Sequence, residues 1–405
     1  VNCFSDAYVR EEWEYVARRA SRLGIAHMTL ADNNFGMIPR DVKTAELMHE
    51  LQSRYGWPRS VTAWTGKNSK ERVIDVTRML GDTLTISMAV QAMDKTVLKN
   101  IKRENIHLED YRAIARELNA QGRPQVAELI IPLPGDTWNS HLEGVRDLLD
   151  SNVSTVIIHT LQMLYGTPYK DDPEYLKTHQ FTTRHRLVPL DFGQYGGKAV
   201  FDTEEVAVGT KTFSLDDYVS SRKLLLVIDL CYNGATFGPL KRYLRSKDIK
   251  PSDWILAIFA QLGHYPAPAQ KIFDSFTQET LDELWTSEKA LVDFYRKPEN
   301  YHKLAKGELG GNVLFKHRAW MMTESAETWI ETVFAITEEL LRSQVTSEAE
   351  LELKEIKQWI RTTAQDAFSL TEAADQLESS FSFDLLAWLE APDPKPLAAY
   401  RQSTP

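Results

Sequence analysis

The feature that most constrains the fold of this chain is a regular alternation of short apolar runs with amphipathic segments across residues 8–160. Five runs have the length and composition of buried strands, and they lie at 26–31, 60–65, 83–90, 126–131 and 153–160. The other segments carry apolar residues at helical spacing, at 8–23, 39–56, 69–80, 94–102, 109–120 and 138–150. Strands that alternate with helices in this way form βαβ units, so the sequence predicts an α/β fold with a parallel sheet.

The order of these elements leaves two architectures open. A barrel would gather the polar residues that follow each strand on one rim. A Rossmann-like open sheet competes with it, although no G-x-G-x-x-G follows any of the five runs. We therefore expect a barrel over residues 1–165.

The pattern changes after about residue 165. Residues 166–215 are expected to be rich in loops, and the chain from 216 onward is expected to be mostly helical. The expected helices are 216–245, 251–262, 278–297, 325–343, 346–364 and 381–391, followed by a frayed end. The sequence thus predicts a loop-rich extension over the barrel mouth at 166–232 and a helical region at 233–405.

Charge and cysteine content exclude several classes of protein. The net charge of −10 argues against nucleic acid and against acidic membrane surfaces as partners. No apolar run reaches the roughly 20 residues that cross a bilayer. Cys3 and Cys231 are the only cysteines, so no disulfide framework is expected and a cytoplasmic location is the default.

Polar residues follow the first predicted strand directly. Asp32, Asn33 and Asn34 carry a carboxylate and two amides, which could hold an ammonium group or hydroxyls. The local alternative is an Asx-turn that leads into the next helix. In an α/β protein the carboxyl ends of strands are where ligands bind, so both interpretations stay open.

Three further polar residues follow the second and third strands. Lys67 could bind a carboxylate or remain a solvated lysine. Gln91 ends an apolar strand, where an amide needs a partner. Arg103 could grip a carboxylate with its fork of donors or lie on the surface.

The fourth strand contains a carboxylate and ends in a stiff turn. An ionised Glu128 inside an apolar strand needs a partner. Pro132, Pro134 and Gly135 restrict the turn that follows, which could therefore lie flat against a planar group. His159, in the fifth strand, is expected to be a core histidine, because no second ligand lies at metal-binding spacing. No metal site is predicted.

Together these stretches resemble the barrel of radical S-adenosylmethionine (SAM) enzymes, and more closely the subgroup with an N-terminal cobalamin-binding domain. The resemblance covers residues 4 to about 232 and is loose beyond. The stretches that carry it are LADNNFGMIPRDVKTAE, TGKNS, ISMAVQAMDKTVLKNIKRENI, AELIIPLPGDT, LQMLYGTPY, FTTRHRLVPLDFGQY and EEVAVGTKTFSLDDY.

The resemblance implies a partial (β/α)6 TIM-like barrel whose first strand is followed by Cys-x3-Cys-x2-Cys. In this family three thiolates hold a 4Fe–4S cluster, and reductive cleavage of SAM gives a 5′-deoxyadenosyl radical. In the cobalamin subgroup, methylcobalamin delivers a methyl group to an unactivated carbon. The implied partners are a small-molecule or peptide substrate and an electron donor such as flavodoxin or ferredoxin.

This sequence departs from the family in two respects. The Cys-x3-Cys-x2-Cys motif and the cobalamin domain are both absent. Cys3 does not match the motif, because CFSDAYVREE aligns with the segment after the cluster loop. We therefore expect a fragment that lacks the first barrel strand and is inactive by itself.

The resemblance implies roles for individual residues, and a catalytic residue is not among them. Asp32, Asn33 and Asn34 match the motif that holds the methionine end of SAM. Gln91 matches a polar residue near the ribose, and Arg103 matches an arginine that pairs with the SAM carboxylate. The remaining matches are Glu128, Pro132 and Pro134 for the adenine, Leu161 and Gln162 for the adenine or the substrate, and Lys67, Arg184 and Arg186 for the substrate.

Two alternatives stay open beside the radical SAM interpretation. The first is a non-catalytic barrel that binds a ligand or a partner protein. The second is an ordinary TIM-barrel lyase or hydrolase that uses Glu128 and Asp32, and it predicts activity in air without iron.

Overall fold

The structure is a computed structural model. It describes residues 3–32, 34–64, 70–103, 109, 111–113, 115–116, 125–344, 346–367, 379–391 and 395–402. The chain divides into two compact units. The first comprises Val1–Met93, Lys102–Leu129 and Ser151–Ile157, and the second comprises Asp94–Ile101, Ile130–Asp150 and Ile158–Pro405.

All five predicted strands are present and belong to one sheet. They are β1 His27–Thr29, β2 Ser60–Trp64, β3 Leu84–Gln91, β4 Gln125–Ile131 and β5 Thr155–Thr160, in the spatial order β1-β2-β3-β4-β5. The pairs β1–β2, β2–β3 and β3–β4 are parallel, as the βαβ pattern predicts. The fold is therefore α/β, and β1 is an edge strand of the sheet as described.

Helices α1 to α5 occupy the segments that the periodicity predicts. They are α1 Asp6–Arg22, α2 Pro39–Tyr55, α3 Lys70–Leu80, α4 Lys95–Asn100 and α5 Trp138–Asp150. Their ends follow local rules, because Pro39 opens α2 and Gly56 closes it in a left-handed conformation. Asp94 caps α4 by accepting from the N–H groups of Thr96 and Val97. Of the helix predicted at 109–120, the described residues 109, 111–113 and 115–116 are helical.

The helices of the first unit bury a small apolar core. Ala17 and Ala20 of α1 pack against Leu47 and Leu51 of α2, together with Trp57. Small residues on α1 let the two helices approach closely, and the aromatic ring fills the space at their ends.

The expectation that residues 166–215 form loops is wrong for most of that segment. Two short helices, α6 Pro168–Asp171 and α7 Pro173–His179, are followed by the long antiparallel strands β6 Thr182–Tyr195 and β7 Lys198–Gly209. Gly196 and Gly197 connect these strands with positive φ at both positions, which is the geometry of a two-residue hairpin turn.

The C-terminal region is helical, as predicted, but its boundaries differ. The helices are α8 Leu215–Ile228, α9 Gly238–Ser246, α10 Pro251–Ala260, α11 Ala267–Asp282, α12 Glu288–Arg296, α13 Pro298–Ala305, α14 Val313–Glu324, α15 Ala326–Leu340, α16 Ser347–Ala367 and α17 Leu385–Glu390. A π-helical segment, Asp229–Asn233, separates α8 from α9 where one helix was expected. Within the described residues 395–402, where a frayed end was expected, Leu397 is buried and Arg401 forms a β-bridge with Phe383.

Large aromatic side chains fill the core of the second unit. Trp254, Trp329 and Phe334 are fully buried, and the indole N–H of Trp254 donates to Thr337 Oγ1 at 3.0 Å. Cys231 lies in the same unit and is also fully buried. Burial raises the pKa of its thiol, which makes this cysteine a poor nucleophile.

Candidate functional site

The polar stretch after β1 folds into a turn that its own side chains hold. Asp32 Oδ1 accepts a hydrogen bond from the Asn34 N–H at 2.8 Å, which is the Asx-turn named above as the local alternative. The Phe35 N–H donates to the carbonyl oxygen of Trp64 at 2.9 Å, so this turn lies at the carboxyl end of β2. Asp32 and Asn34 are exposed, whereas Asn33 lies outside the described residues.

A buried carboxylate that the sequence analysis did not select fixes this turn to α2. Asp41 Oδ2 accepts from the N–H groups of Gly36 and Ile38, at 2.9 and 3.0 Å. Burial raises the pKa of Asp41 against the opposing effect of these hydrogen bonds. A Cβ on Gly36, where φ is +89°, would lie 3.1 Å from Val73 Cγ2. Local packing therefore determines the shape of the turn.

Strand β3 ends in a three-residue turn centred on Gln91. The Ala92 N–H donates to the Val90 carbonyl oxygen at 2.8 Å, and Gln91 has a φ of +63°. The register against β4 also shifts between Ala89 and Gln91. A left-handed backbone costs about 1–2 kcal/mol in a residue with a side chain, and such strain concentrates at functional sites. The backbone thus gives a second reason to consider Gln91.

Arg103 and Glu128 are both half-buried, and both have interaction partners in the structure. Glu128 is opposite Ala89 in the β3–β4 register. Buried and half-buried residues alternate along β4, so Glu128 shares its half-buried face with Val126 and Ile130. The structure therefore agrees with the argument that a carboxylate in this strand requires a partner.

The turn after β4 is buried and tied to α4. Pro132, Leu133 and Pro134 are buried, and Asn100 Nδ2 donates to the Pro134 carbonyl oxygen at 2.9 Å. Gly135 has a φ of +86°, and a Cβ at this position would lie 2.4 Å from Asn100 Nδ2. Only glycine fits here without a shift of the asparagine.

Asp136 is the second carboxylate that the sequence analysis missed. Its side chain is buried, with 4% of the residue exposed, and it accepts hydrogen bonds from the Thr137 N–H and the Ser140 hydroxyl. Burial is the main cause that raises its pKa to about 6, and the charge of Asp94 adds to the effect. Thr137 caps α5, because its Oγ1 accepts from the Ser140 N–H at 3.1 Å. The sequence signal that could have identified Asp136 is its position directly before the capping residue Thr137.

The chain that leaves β5 is held by backbone hydrogen bonds on both sides. The Leu161 N–H donates to the Ile131 carbonyl oxygen at 2.7 Å, and the Leu161 carbonyl oxygen accepts from Ala207 of β7 at 2.9 Å. Met163 donates to Glu205 of the same strand. His159 is exposed, so the expectation of a core histidine was wrong.

Glu204 brings two predicted residues together. Its carboxylate accepts from the Gln162 amide and from Arg186 Nε, the latter at 2.6 Å. Arg186 also lies 3.5 Å from Glu283. Burial by itself would lower the pKa of Arg186, but Tyr218 and the two carboxylates outweigh this effect and raise the pKa. Arg184 instead donates locally to the Thr183 carbonyl oxygen at 2.8 Å.

The predicted residues thus fall into separate groups. In the first unit, Asp32, Asn34 and Gln91 lie at the carboxyl ends of strands in one parallel sheet. In the second unit, Leu161 contacts the residue before Pro132, and Gln162 meets Arg186 through Glu204. Lys67 lies outside the described residues.

The described residues contain no group of three histidine, cysteine or acidic side chains that could hold a metal ion. Cys3 is exposed and Cys231 is buried, and neither forms a disulfide. In the same part of the chain, no helix combines the length and the hydrophobicity that a bilayer span requires.

Two curated proteins are similar in sequence to this chain, whereas no family model matches it. One is the cobalamin-dependent radical SAM methyltransferase TokK of Streptomyces tokunonensis, 27% identical over 249 residues. The other is the 2-(S-pantetheinyl)-carbapenam-3-carboxylate methyltransferase of Streptantibioticus cattleyicolor, 25% identical over 249 residues. Each match covers 60% of this chain and 36% of the relative, so the chain matches about a third of each relative's length.

Solved structures of radical SAM enzymes are similar over smaller parts of the chain. The methyltransferase TsrM of Kitasatospora setae, with cobalamin and a [4Fe-4S] cluster bound, covers 40% of this chain and 30% of its own, at 16% identity and a TM-score of 0.33. Coproporphyrinogen III oxidase (HemN) of Escherichia coli covers 34% and 44%, at 15% identity and a TM-score of 0.23. Scores this low add nothing to the comparison of sequences. The resemblance to the cobalamin-binding subgroup of radical SAM enzymes is confirmed by sequence, because TokK is a cobalamin-dependent radical SAM methyltransferase and the second relative is also a methyltransferase.

Proposed function

We propose that this chain binds SAM as part of a cobalamin-dependent radical SAM methyltransferase that transfers a methyl group to an unactivated carbon. The observation that carries the proposal is the similarity to two curated methyltransferases across 60% of the chain. The activity, the substrate and the electron donor all belong to the proposal, because the chain matches only 36% of each relative.

The order of the strands supports a partial barrel. A doubly wound sheet reverses its strand order at a switch point, whereas a barrel adds each new strand next to the last. The order here is sequential from β1 to β5. The family's first strand would pair with the edge strand β1. The division at residues 165 and 232 remains a prediction.

The residues of this chain do not fit a 4Fe–4S cluster. Such a cluster needs three thiolates from the protein, and this chain has two cysteines, one exposed and one fully buried. The chemistry of the cluster therefore lies outside what these residues do.

The residues do offer groups that suit SAM. The exposed Asp32 and Asn34 suit the ammonium group of its methionine end, and the Arg103 guanidinium suits its carboxylate. Gln91 would hydrogen-bond the ribose, since the turn at the end of β3 holds its backbone in a fixed conformation.

Binding of SAM to the purified chain, measured by isothermal titration calorimetry, tests this proposal. We expect saturable binding that S-adenosylhomocysteine competes away and that Gln91→Ala weakens about fivefold, the effect of one hydrogen bond. Gln180→Ala is the matched control, because Gln180 also has a positive φ but ends α7. It should leave the affinity unchanged.

Two results would count against the proposal. If Gln91→Ala and Gln180→Ala weaken binding equally, the effect comes from the backbone and not from the amide. If the chain is folded by circular dichroism but does not bind SAM, the alternative of a non-catalytic barrel gains support.

A further inference from the structure

A second cavity lies in the helical region, apart from the residues proposed to bind SAM. It has a volume of about 600 Å³ and lies between the end of α11, helix α12 and the glycine-rich loop 307–311. This size is typical of pockets that hold small molecules. All of its lining residues belong to the second unit.

One wall of the cavity is aromatic. The rings of Trp285 and Phe294 lie 5.1 Å apart, and those of Phe294 and Tyr295 lie 5.2 Å apart in an edge-on arrangement. Leu187 of β6 contributes an apolar side chain to the lining. The glycine loop approaches it closely, because a Cβ on Gly310 would lie 2.8 Å from Leu187 Cδ2.

The charged residues around the cavity are mostly acidic. Glu279, Asp282, Glu283 and Glu308 line it, and Lys316 is the one cation among its described lining residues. Lys316 is paired with Glu279 at 2.8 Å, while Arg186 lies 3.5 Å from Glu283.

Two of the carboxylates have no cationic partner. Asp282 accepts a hydrogen bond from the neutral Gln278 amide at 2.8 Å. Among the described residues no cation pairs with Asp282 or with Glu308. The cavity therefore keeps negative charge next to its aromatic wall.

The hydroxyl group of Tyr295 is available to a ligand in this cavity. Tyr295 lines the cavity and has only 8% of its surface exposed, and its hydroxyl forms no hydrogen bond with any described residue. The hydroxyl oxygen itself keeps accessible surface, so a group bound in the cavity can reach it. Burial and the charge of Glu283 raise the pKa of this phenol, so it stays protonated and can donate or accept.

We propose that this cavity binds an organic cation, a primary ammonium or guanidinium group on an apolar body. The positive group would lie between the carboxylates of Asp282 and Glu308 and the faces of Trp285 and Phe294, which attract cations. The Tyr295 hydroxyl would accept one of its N–H donors. The negative charge disfavours anions, and the proposed function does not depend on this site.

Calorimetric titration of the purified chain with 2-phenylethylammonium tests the proposal. Neutral 2-phenylethanol, which has a similar shape, should bind at least tenfold more weakly, and 3-phenylpropionate should not bind measurably. We expect a drop of about tenfold from the double variant Asp282→Asn/Glu308→Gln and about threefold from Tyr295→Phe. Lys316→Gln should raise the affinity about threefold, because it frees Glu279.

Asp293→Asn is the matched control, since this exposed acid of α12 pairs with Lys289 and does not line the cavity. It should leave binding unchanged, and all variants should keep the wild-type melting temperature within a few degrees. Equal affinity for the ammonium and the alcohol, or an unchanged affinity in the double variant, would overturn the proposal. Neither result affects the proposed binding of SAM, which is measured in a separate titration.

Discussion

The side chain of Asn100 donates a hydrogen bond to the carbonyl oxygen of Pro134 at 2.9 Å and so joins the end of α4 to the turn after β4. The next residue, Gly135, has a left-handed backbone. Its Cα hydrogens face the same amide that makes the hydrogen bond, since a Cβ would approach Asn100 Nδ2 to 2.4 Å. The geometry of this turn therefore depends on both residues.

Gly135→Ala should lower the free energy of unfolding by about 3 kcal/mol, as measured by urea denaturation. About 1–2 kcal/mol of this comes from the left-handed backbone, and the remainder comes from the displaced Asn100 amide. Asn100→Ala in the same background should recover part of the loss.

Gly166→Ala is the control for the backbone contribution. Gly166 has a φ of +82°, but a Cβ there would meet nothing within 4 Å. Gly166→Ala should lower the free energy of unfolding only by the cost of the left-handed backbone, about 1–2 kcal/mol. Equal losses at Gly135 and Gly166 would mean that the contact with Asn100 is unimportant.

Asp136 should make the protein more stable in acid. Its pKa is raised from the ordinary 3.8 to about 6 in the folded state, chiefly by burial. The stabilisation is therefore fully present below about pH 4 and is lost as the pH rises through 6, by roughly 3 kcal/mol. The difference in free energy of unfolding between wild type and Asp136→Asn should fall by that amount from pH 4 to 7. A difference that does not change with pH would contradict the burial of this carboxyl.

His141 should make the protein less stable in acid. Its imidazole is buried against the Ser221 hydroxyl, with Nε2 and Oγ 2.7 Å apart, and burial lowers its pKa to about 4. The unfolded chain binds a proton near pH 6.5 and the folded chain does not, so stability falls between pH 6.5 and 4 by roughly 3 kcal/mol. The stability of wild type relative to His141→Gln should decline over that range.

Ser221→Ala serves as the control for His141, because it removes the hydrogen bond but keeps the titrating ring. It should lower the free energy of unfolding by a similar amount at every pH above 6.5 and retain the pH dependence below 6.5.

The contributions of Asp136 and His141 to the free energy of unfolding change with pH in opposite directions and nearly cancel between pH 4 and 6. Each pH dependence should therefore become visible only when the other residue is replaced.

Glu204→Gln should lower the free energy of unfolding by about 2 kcal/mol. The change leaves the largely buried Arg186 with Glu283 alone, at 3.5 Å, and a buried charge that loses its partner is strongly destabilising. The double variant Glu204→Gln/Arg186→Met should be more stable than Glu204→Gln. Glu327→Gln, which leaves the more exposed Arg361 with Glu331 alone, should change stability by less than about 0.5 kcal/mol.

The sheet could be predicted from the sequence, whereas the hairpin could not. The parallel strands are continuous apolar runs and need no partner to be recognised. Strands β6 and β7 instead carry charges that indicate a loop when each segment is considered alone. Arg186 lies directly opposite Glu204, so the ion pair that neutralises these two side chains exists only once the strands meet.

The candidate site likewise contains some features that a sequence shows and others that it does not. The caps at Asp94 and Thr137 involve residues three positions apart or fewer, so a sequence pattern is enough to identify them. Asp41, Asp136 and Glu204 were missed, because their importance comes from burial or from partners distant in sequence. The strained backbone of Gln91 likewise results from the end of a bulged strand and not from a local motif.

The hydrogen bonds of Leu161 and Met163 to β7 join the chain that leaves β5 to the base of the hairpin. From Val206 to Gly197 the strand extends about 30 Å at roughly 3.3 Å per residue. The outer half of the hairpin packs on α13, because the rings of Phe192 and Phe201 lie 5.9 and 6.0 Å from the ring of Tyr301. The hairpin is therefore held at both ends, and a spin label near Gly196 should move together with one placed on α13.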